Sequence, residues 1–82
     1  MNIEKRVCNF IHILDDTADI YLPETGFDDF GLFLDVYLRC SESTAKELSN
    51  FASFIPGKSR KFKGKVYQNF KIRLDKNGQI IF

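Results

Sequence analysis

No tryptophan occurs in this 82-residue chain, which carries one histidine, two cysteines and two prolines. Each scarcity closes a class of reading. Two cysteines, Cys8 and Cys40, are too few for a disulfide framework of the sort that holds small secreted domains together. One bridge between them is open in an oxidising compartment, and the plainer reading is two small buried apolar residues of a reduced cytosolic protein. The longest early apolar stretch, Val7–Leu14, contains Asn9 and His12 and runs into Asp15 and Asp16, with no small-residue cleavage site of the secretory kind. No stretch approaches the 18 or so apolar residues that a membrane span needs. The expectation is a cytoplasmic protein that does not engage membranes.

Catalytic vocabulary is equally thin. A nucleophile needs a base in reach and a third group to orient that base, and His12 is the one imidazole available. It follows Cys8 by four residues, a spacing open to a thiol–imidazole pair or two metal ligands. A structural zinc site takes four ligands in tight pairs, and Cys40 is the only other soft ligand. The plainer reading is a buried cysteine and a hydrogen-bonded histidine. Asp28, Asp29, Phe30 and Gly31 contain the Asp-Phe-Gly string of protein kinases, but no glycine-rich or catalytic loop accompanies it, and the match is a chance one. Phosphate-loop and dinucleotide glycine patterns are absent. Asp15, Asp16 and Asp19 lack the spacing and closing glutamate of a calcium loop. We therefore expect no enzyme activity, no cofactor and no metal.

What the chain has is phenylalanine and segregated charge. Nine Phe and three Tyr supply its aromatics. A domain of this length buries only about 60–65% of the surface its unfolded chain exposes, which leaves little room for a deep cavity. The net charge of +1 conceals a division. Residues 1–57 hold Lys5, Arg6, Arg39 and Lys46 against ten acids, a balance of −6. Residues 58–82 hold eight basic side chains against Asp75 alone, a balance of +7.

Hydrophobic patterning predicts one α+β domain over residues 1–82, an antiparallel sheet of four or five strands with one amphipathic helix on one face. Val7–Leu14, short and rich in β-branched and aromatic residues, reads as a strand buried on both faces, with a helix over 3–14 as the alternative. Residues 15–29 read as a long connection containing a brief strand at Asp19–Leu22. Phe30–Cys40 is the clearest strand: Phe30, Leu32, Leu34, Val36, Leu38 and Cys40 alternate with Gly31, Phe33, Asp35, Tyr37 and Arg39. A helix over 44–55 follows, with Ser43 or Thr44 as its cap, Glu47 completing a capping box, and Pro56-Gly57 as its stop. Its stripe is Ala45, Leu48, Ala52 and Ile55, widened by Phe51.

Val66–Leu74 alternates strongly, and the turn Asp75-Lys76-Asn77-Gly78 folds Gln79–Phe82 back as a C-terminal hairpin. Register chooses the turn. A three-residue loop with Gly78 left-handed pairs Leu74 with Ile80 and Ile72 with Phe82, putting four apolar side chains on one face.

Two surfaces follow. The first is acidic and aromatic: Asp15, Asp16, Asp19, Asp28 and Asp29 for steering, Tyr21 and Phe27 as anchors. The second is basic: Lys58, Arg60, Lys61, Lys63 and Lys65, continuing to Lys71 and Arg73, with Tyr67 as a stacking platform. The first surface leads to the principal expectation, a small non-catalytic protein-binding inhibitor. It is of the immunity or antitoxin type by which bacteria neutralise toxins, and docks on a basic protein such as a nuclease toxin. That is a likeness of physical style, not of motif. The alternatives are a nucleic-acid-binding module using residues 58–73, or a self-associating structural protein whose acidic loop meets the basic strand of another copy. The expected state is a monomer or homodimer.

Overall fold

In the computed structural model, which describes residues 2–81, twelve residues at the start form helix α1, Ile3–Leu14. Asn2 caps it by accepting from the Lys5 N–H at 3.2 Å. Val7 and Ile11 are fully buried, and Ile3, Phe10 and Leu14 pack beside them. That spacing of three and four is a helical stripe. The expected strand at Val7–Leu14 is therefore corrected to a helix. The stripe begins at Ile3, so a window opening at Val7 sees only an unbroken apolar run, for which strand and helix look alike.

Strand β1 spans Asp19–Asp28 and pairs antiparallel with β2, Gly31–Arg39. The long connection expected over 15–29 is thus mostly strand. It was concealed by Pro23, Gly26 and an irregularity between Tyr21 and Glu24, where Leu22 takes a φ of 52°. Edge strands accept such residues because one backbone edge needs no partner. Helix α2 spans Glu42–Ser49, shorter than expected, and is capped by Ser41, whose Oγ accepts from the Thr44 N–H at 3.2 Å.

The helical stripe projected as far as Ile55 is broken by sheet pairing. Phe54 lies opposite Ile72 and stacks edge-on against Phe70, at 6.2 Å between ring centroids. Strand β3, Phe54–Phe62, then runs into β4, Lys65–Arg73. Pro56 does not stop a helix; it sits in an edge strand. The turn between β3 and β4 consists of Lys63 and Gly64, both with positive φ (50° and 79°). This is the two-residue hairpin geometry whose twist matches its strands.

The sheet order is β1-β2-β4-β3, antiparallel throughout. Leu34, Val36, Leu38, Phe70, Ile72 and Phe54 point to one face and join Val7, Ile11 and Leu48 from the helices in a single core. Beyond β4, Gly78 has φ 77° and Leu74 bridges Ile80, the register expected of the three-residue loop. The return is one bridge rather than a strand, so the developed C-terminal hairpin is β3–β4. The expected partner of Ile72, Phe82, lies outside the described residues. The turn is held to α1, since Arg6 donates to the Gly78 carbonyl at 2.9 Å.

Two substitutions separate core from arm. Phe70→Ala should lose about 3–5 kcal/mol, enough to unfold a domain of this size. Gly64→Ala should lose about 1 kcal/mol, because a Cβ resists the left-handed conformation. Urea denaturation measures both, and equal losses would contradict the layering described.

Candidate functional site

With both helices on one side, the opposite face of the sheet is left uncovered. Strand parity puts Tyr21, Phe33, Asp35, Tyr37, Tyr67, Asn69, Lys71 and Arg73 there, and two clusters organise them. At the end of the sheet near the β1–β2 turn, Arg73 grips Asp28 through two hydrogen bonds of 2.6 Å, and Lys71 joins from 3.1 Å. Lys71 also lies over the Phe33 ring, 4.3 Å from its centroid. The Arg73 guanidinium holds the Asp28 carboxyl well below the usual carboxylate range, against the desolvation that works the other way.

At the other end, Tyr21, Tyr37, Phe62 and Tyr67 form an aromatic cluster with neighbouring centroids 4.5–5.6 Å apart. Arg60 covers it, 4.9 Å from the Phe62 ring and 5.9 Å from that of Tyr37. The Tyr67 hydroxyl donates to Asp19, which raises the tyrosine pKa, and the Tyr67 side chain is buried. The cluster fastens the β3–β4 hairpin to β1 and β2.

These contacts regroup the acidic and aromatic residues expected to act together. Asp15 accepts from the Thr17 hydroxyl and backbone and from the Ser41 N–H and the Thr44 hydroxyl. It joins the end of α1 to the start of α2. The Thr17 hydroxyl is the largest cause, and Ser41 the next, of a carboxyl pKa lowered to about 2. Asp19 is engaged by Tyr67, Asp28 by Arg73, and Tyr21 by its ring neighbours. Asp16 and Asp29 are exposed. β1 also separates the two ends of the set: Asp19 and Phe27 stand about 25 Å apart at the usual rise per strand residue. The seven residues do not form a single surface.

Near the β1–β2 turn, Phe27 and Phe30 are 80% and 85% exposed. Phe30 was expected on the core face, but β2 begins one residue later and leaves it in the turn. Both phenylalanines border a 440 Å³ cleft with Leu32, Leu74 and Ile81.

The basic set divides as well. Lys71 and Arg73 are committed to Asp28, and Tyr67 is too buried to offer a ring face. Lys58, Arg60, Lys61, Lys63 and Lys65 are all exposed on or beside the hairpin, and none makes an ion pair among the described residues. Arg39 stands on the uncovered face opposite Asp19. Lys46 lines a 540 Å³ groove between α2 and the hairpin, with Asn50, Pro56 and Gln68. The sequence places Tyr37 and Arg39 on the outward face of β2 and Phe62 among the basic residues, but it does not bring them together or single out Lys46.

Cys8 and Cys40 are free and half-buried, each with its pKa raised chiefly by burial. His12 Nε2 donates to the Ala18 carbonyl at 2.9 Å, the hydrogen-bonded role expected of it. Among the described residues no three His, Cys, Asp or Glu side chains converge, and no helix is long and apolar enough to cross a membrane. No family model, curated protein or solved structure matches the chain.

The Asp15 junction has a pH signature. Its folded pKa lies below the ordinary 3.8, so its contribution is present above that value and is lost as pH falls towards about 2. Asp15→Ala should lower the melting temperature at neutral pH. It should also flatten the stability change across the acid window. A melting curve unchanged at pH 7 would contradict this role.

Proposed function

We propose that this protein is a non-catalytic binding module that takes nucleic acid through hairpin β3–β4. The observation that carries the reading is the set of five exposed cations in eight residues, with no carboxylate partner among the described residues. Lys71 and Arg73 are tied to Asp28 and serve the fold. Lys5, Arg39, Lys46 and Lys76 are exposed singly elsewhere, whereas five cations cluster on the hairpin, and such clustering is the electrostatic footprint of a phosphate-backbone contact. The ten acids of residues 1–57 do not oppose this. Several are neutralised or capped internally, and Asp19 stays at the base of the hairpin.

Fluorescence anisotropy with labelled oligonucleotides tests it. Binding should weaken steeply with salt, by up to about 0.9 logarithmic units of affinity per tenfold salt for each phosphate neutralised on a duplex. Arg60→Glu combined with Lys63→Glu should reduce affinity by at least about tenfold at low salt, with circular dichroism unchanged. No binding of any nucleic acid at low salt would overturn the proposal.

A second reading rests on the cleft bordered by Phe27 and Phe30. Exposed aromatics beside an apolar hollow are the usual anchor of a protein contact. Here they carry the alternative of an inhibitor of immunity or antitoxin type, docking on a basic protein such as a nuclease toxin. Its free carboxylate at that end is Asp29, while Asp28 serves the fold. Phe27→Ala with Asp29→Lys should abolish capture of such a partner and leave nucleic-acid affinity unchanged. Retained capture would remove this reading.

A further inference from the structure

We propose that hairpin β3–β4 binds double-stranded DNA by entering the major groove, an inference that rests on the nucleic-acid reading and narrows it to one substrate class. The argument begins with register. Arg60 lies opposite Tyr67, and Phe62 opposite Lys65, so Arg60 and Lys65 occupy the uncovered face of the sheet. Ser59 lies opposite Gln68, and Lys61 opposite Val66, so Lys61 occupies the helix-side face. Lys63 forms the tip with Gly64. The ribbon therefore carries positive charge on both broad faces and at its end. A surface that receives a strand along one face needs cations on that face alone. An element with phosphates on either side needs them on both.

Dimensions agree. Strand β2 pairs with β4 only as far as Gln68, opposite Leu38. Beyond that point the backbones of β3 and β4 pair only with each other, over three residues of each strand or about 10 Å, while the Tyr67 and Phe62 side chains reach back to Asp19, Tyr21 and Tyr37. Val66, on the helix-side face, is 54% exposed, so α2 does not cover the arm there. Two strands stand about 4.8 Å apart. The major groove of B-form DNA is about 12 Å wide and about 8.5 Å deep and admits a two-stranded ribbon, whereas the minor groove is about 6 Å wide. The deep, narrow major groove of A-form RNA does not admit side chains.

The aromatics point the same way. Binding a single strand by its bases requires open ring faces on which they stack. Tyr67 is buried, Tyr21, Tyr37 and Phe62 pack against one another, and Arg60 lies across Phe62 and Tyr37. These rings fasten the arm to β1 and β2 along its uncovered-side face and leave no free platform.

The test compares a DNA duplex two helical turns long with its separated strand and with duplex RNA of the same sequence, at one salt concentration. Duplex DNA should bind at least about tenfold more tightly than either. Arg60→Glu and Lys61→Glu, on opposite faces, should each lower that affinity and reduce the salt slope by about one. Bound protein should also protect guanine N7, which faces the major groove, from dimethyl sulfate. Equal or tighter binding of the single strand or of RNA would overturn the groove inference and leave the nucleic-acid reading standing. So would a loss confined to Arg60→Glu, or N7 left unprotected. Failure to bind any of the three would remove both.

Discussion

Two short helices can cover one side of a four-stranded sheet and no more, and most of the structure's other features answer to that limit. The covered side is filled by aliphatic residues and phenylalanine. The bare side must stay ordered in contact with water. It does so with side chains that combine apolar bodies and polar ends: Arg73 and Lys71 lie over Phe33 while holding Asp28, Asn69 ties to Asp35 at 2.6 Å, and Tyr67 reaches Asp19. Exposed ion pairs contribute little singly. Here two meet at Asp28 over an aromatic ring, drawing on three strands, and their service is to fix geometry.

Charge that looks segregated along the chain is partly recombined in space. Asp28 belongs to the acidic portion and Lys71 and Arg73 to the basic one, and the fold brings them together across β1 and β4. Asp15 meets hydroxyl and amide donors. After these internal satisfactions, the cations left over are concentrated on one hairpin, whereas the free carboxylates, Asp16, Glu24, Asp29, Glu42 and Glu47 among them, are scattered around the rest of the molecule. A count of charge by sequence segment therefore overstated the acidic surface. Of the basic set, the fold leaves only Lys58, Arg60, Lys61, Lys63 and Lys65 exposed without an ion pair among the described residues.

The fold was legible where one face is buried and the other is not. β2 and β4 alternate cleanly, and the Gly78 turn with its Leu74–Ile80 register followed from matching apolar faces. Three elements were hidden for distinct reasons. α1 loses its first turn when read from Val7. β1 is an edge strand carrying Pro23 and an irregularity, so its alternation slips midway. β3 is exposed along most of its length and full of lysine, which leaves no hydrophobic period to detect. The end of α2 was overruled by tertiary packing: Ala52 and Ile55 fit a helix, but Phe54 finds Ile72 and Phe70 in the sheet. At the candidate site, the residue types were legible and their alliances were not. Nothing local to Asp28 announces an arginine 45 positions away.

The strand order also carries a kinetic meaning. β1–β2 and β3–β4 are local hairpins whose turns close quickly, and each can form without the other. The sheet becomes one body only along the seam between β2 and β4, where Leu38 meets Gln68 across thirty intervening steps of chain that include α2. Closing that span costs conformational entropy before its contacts are gained. The seam, with Val36 facing Phe70 and Leu34 facing Ile72, is accordingly the place where the two halves of the molecule commit to each other, and its formation sets the pace at which the chain reaches its final shape.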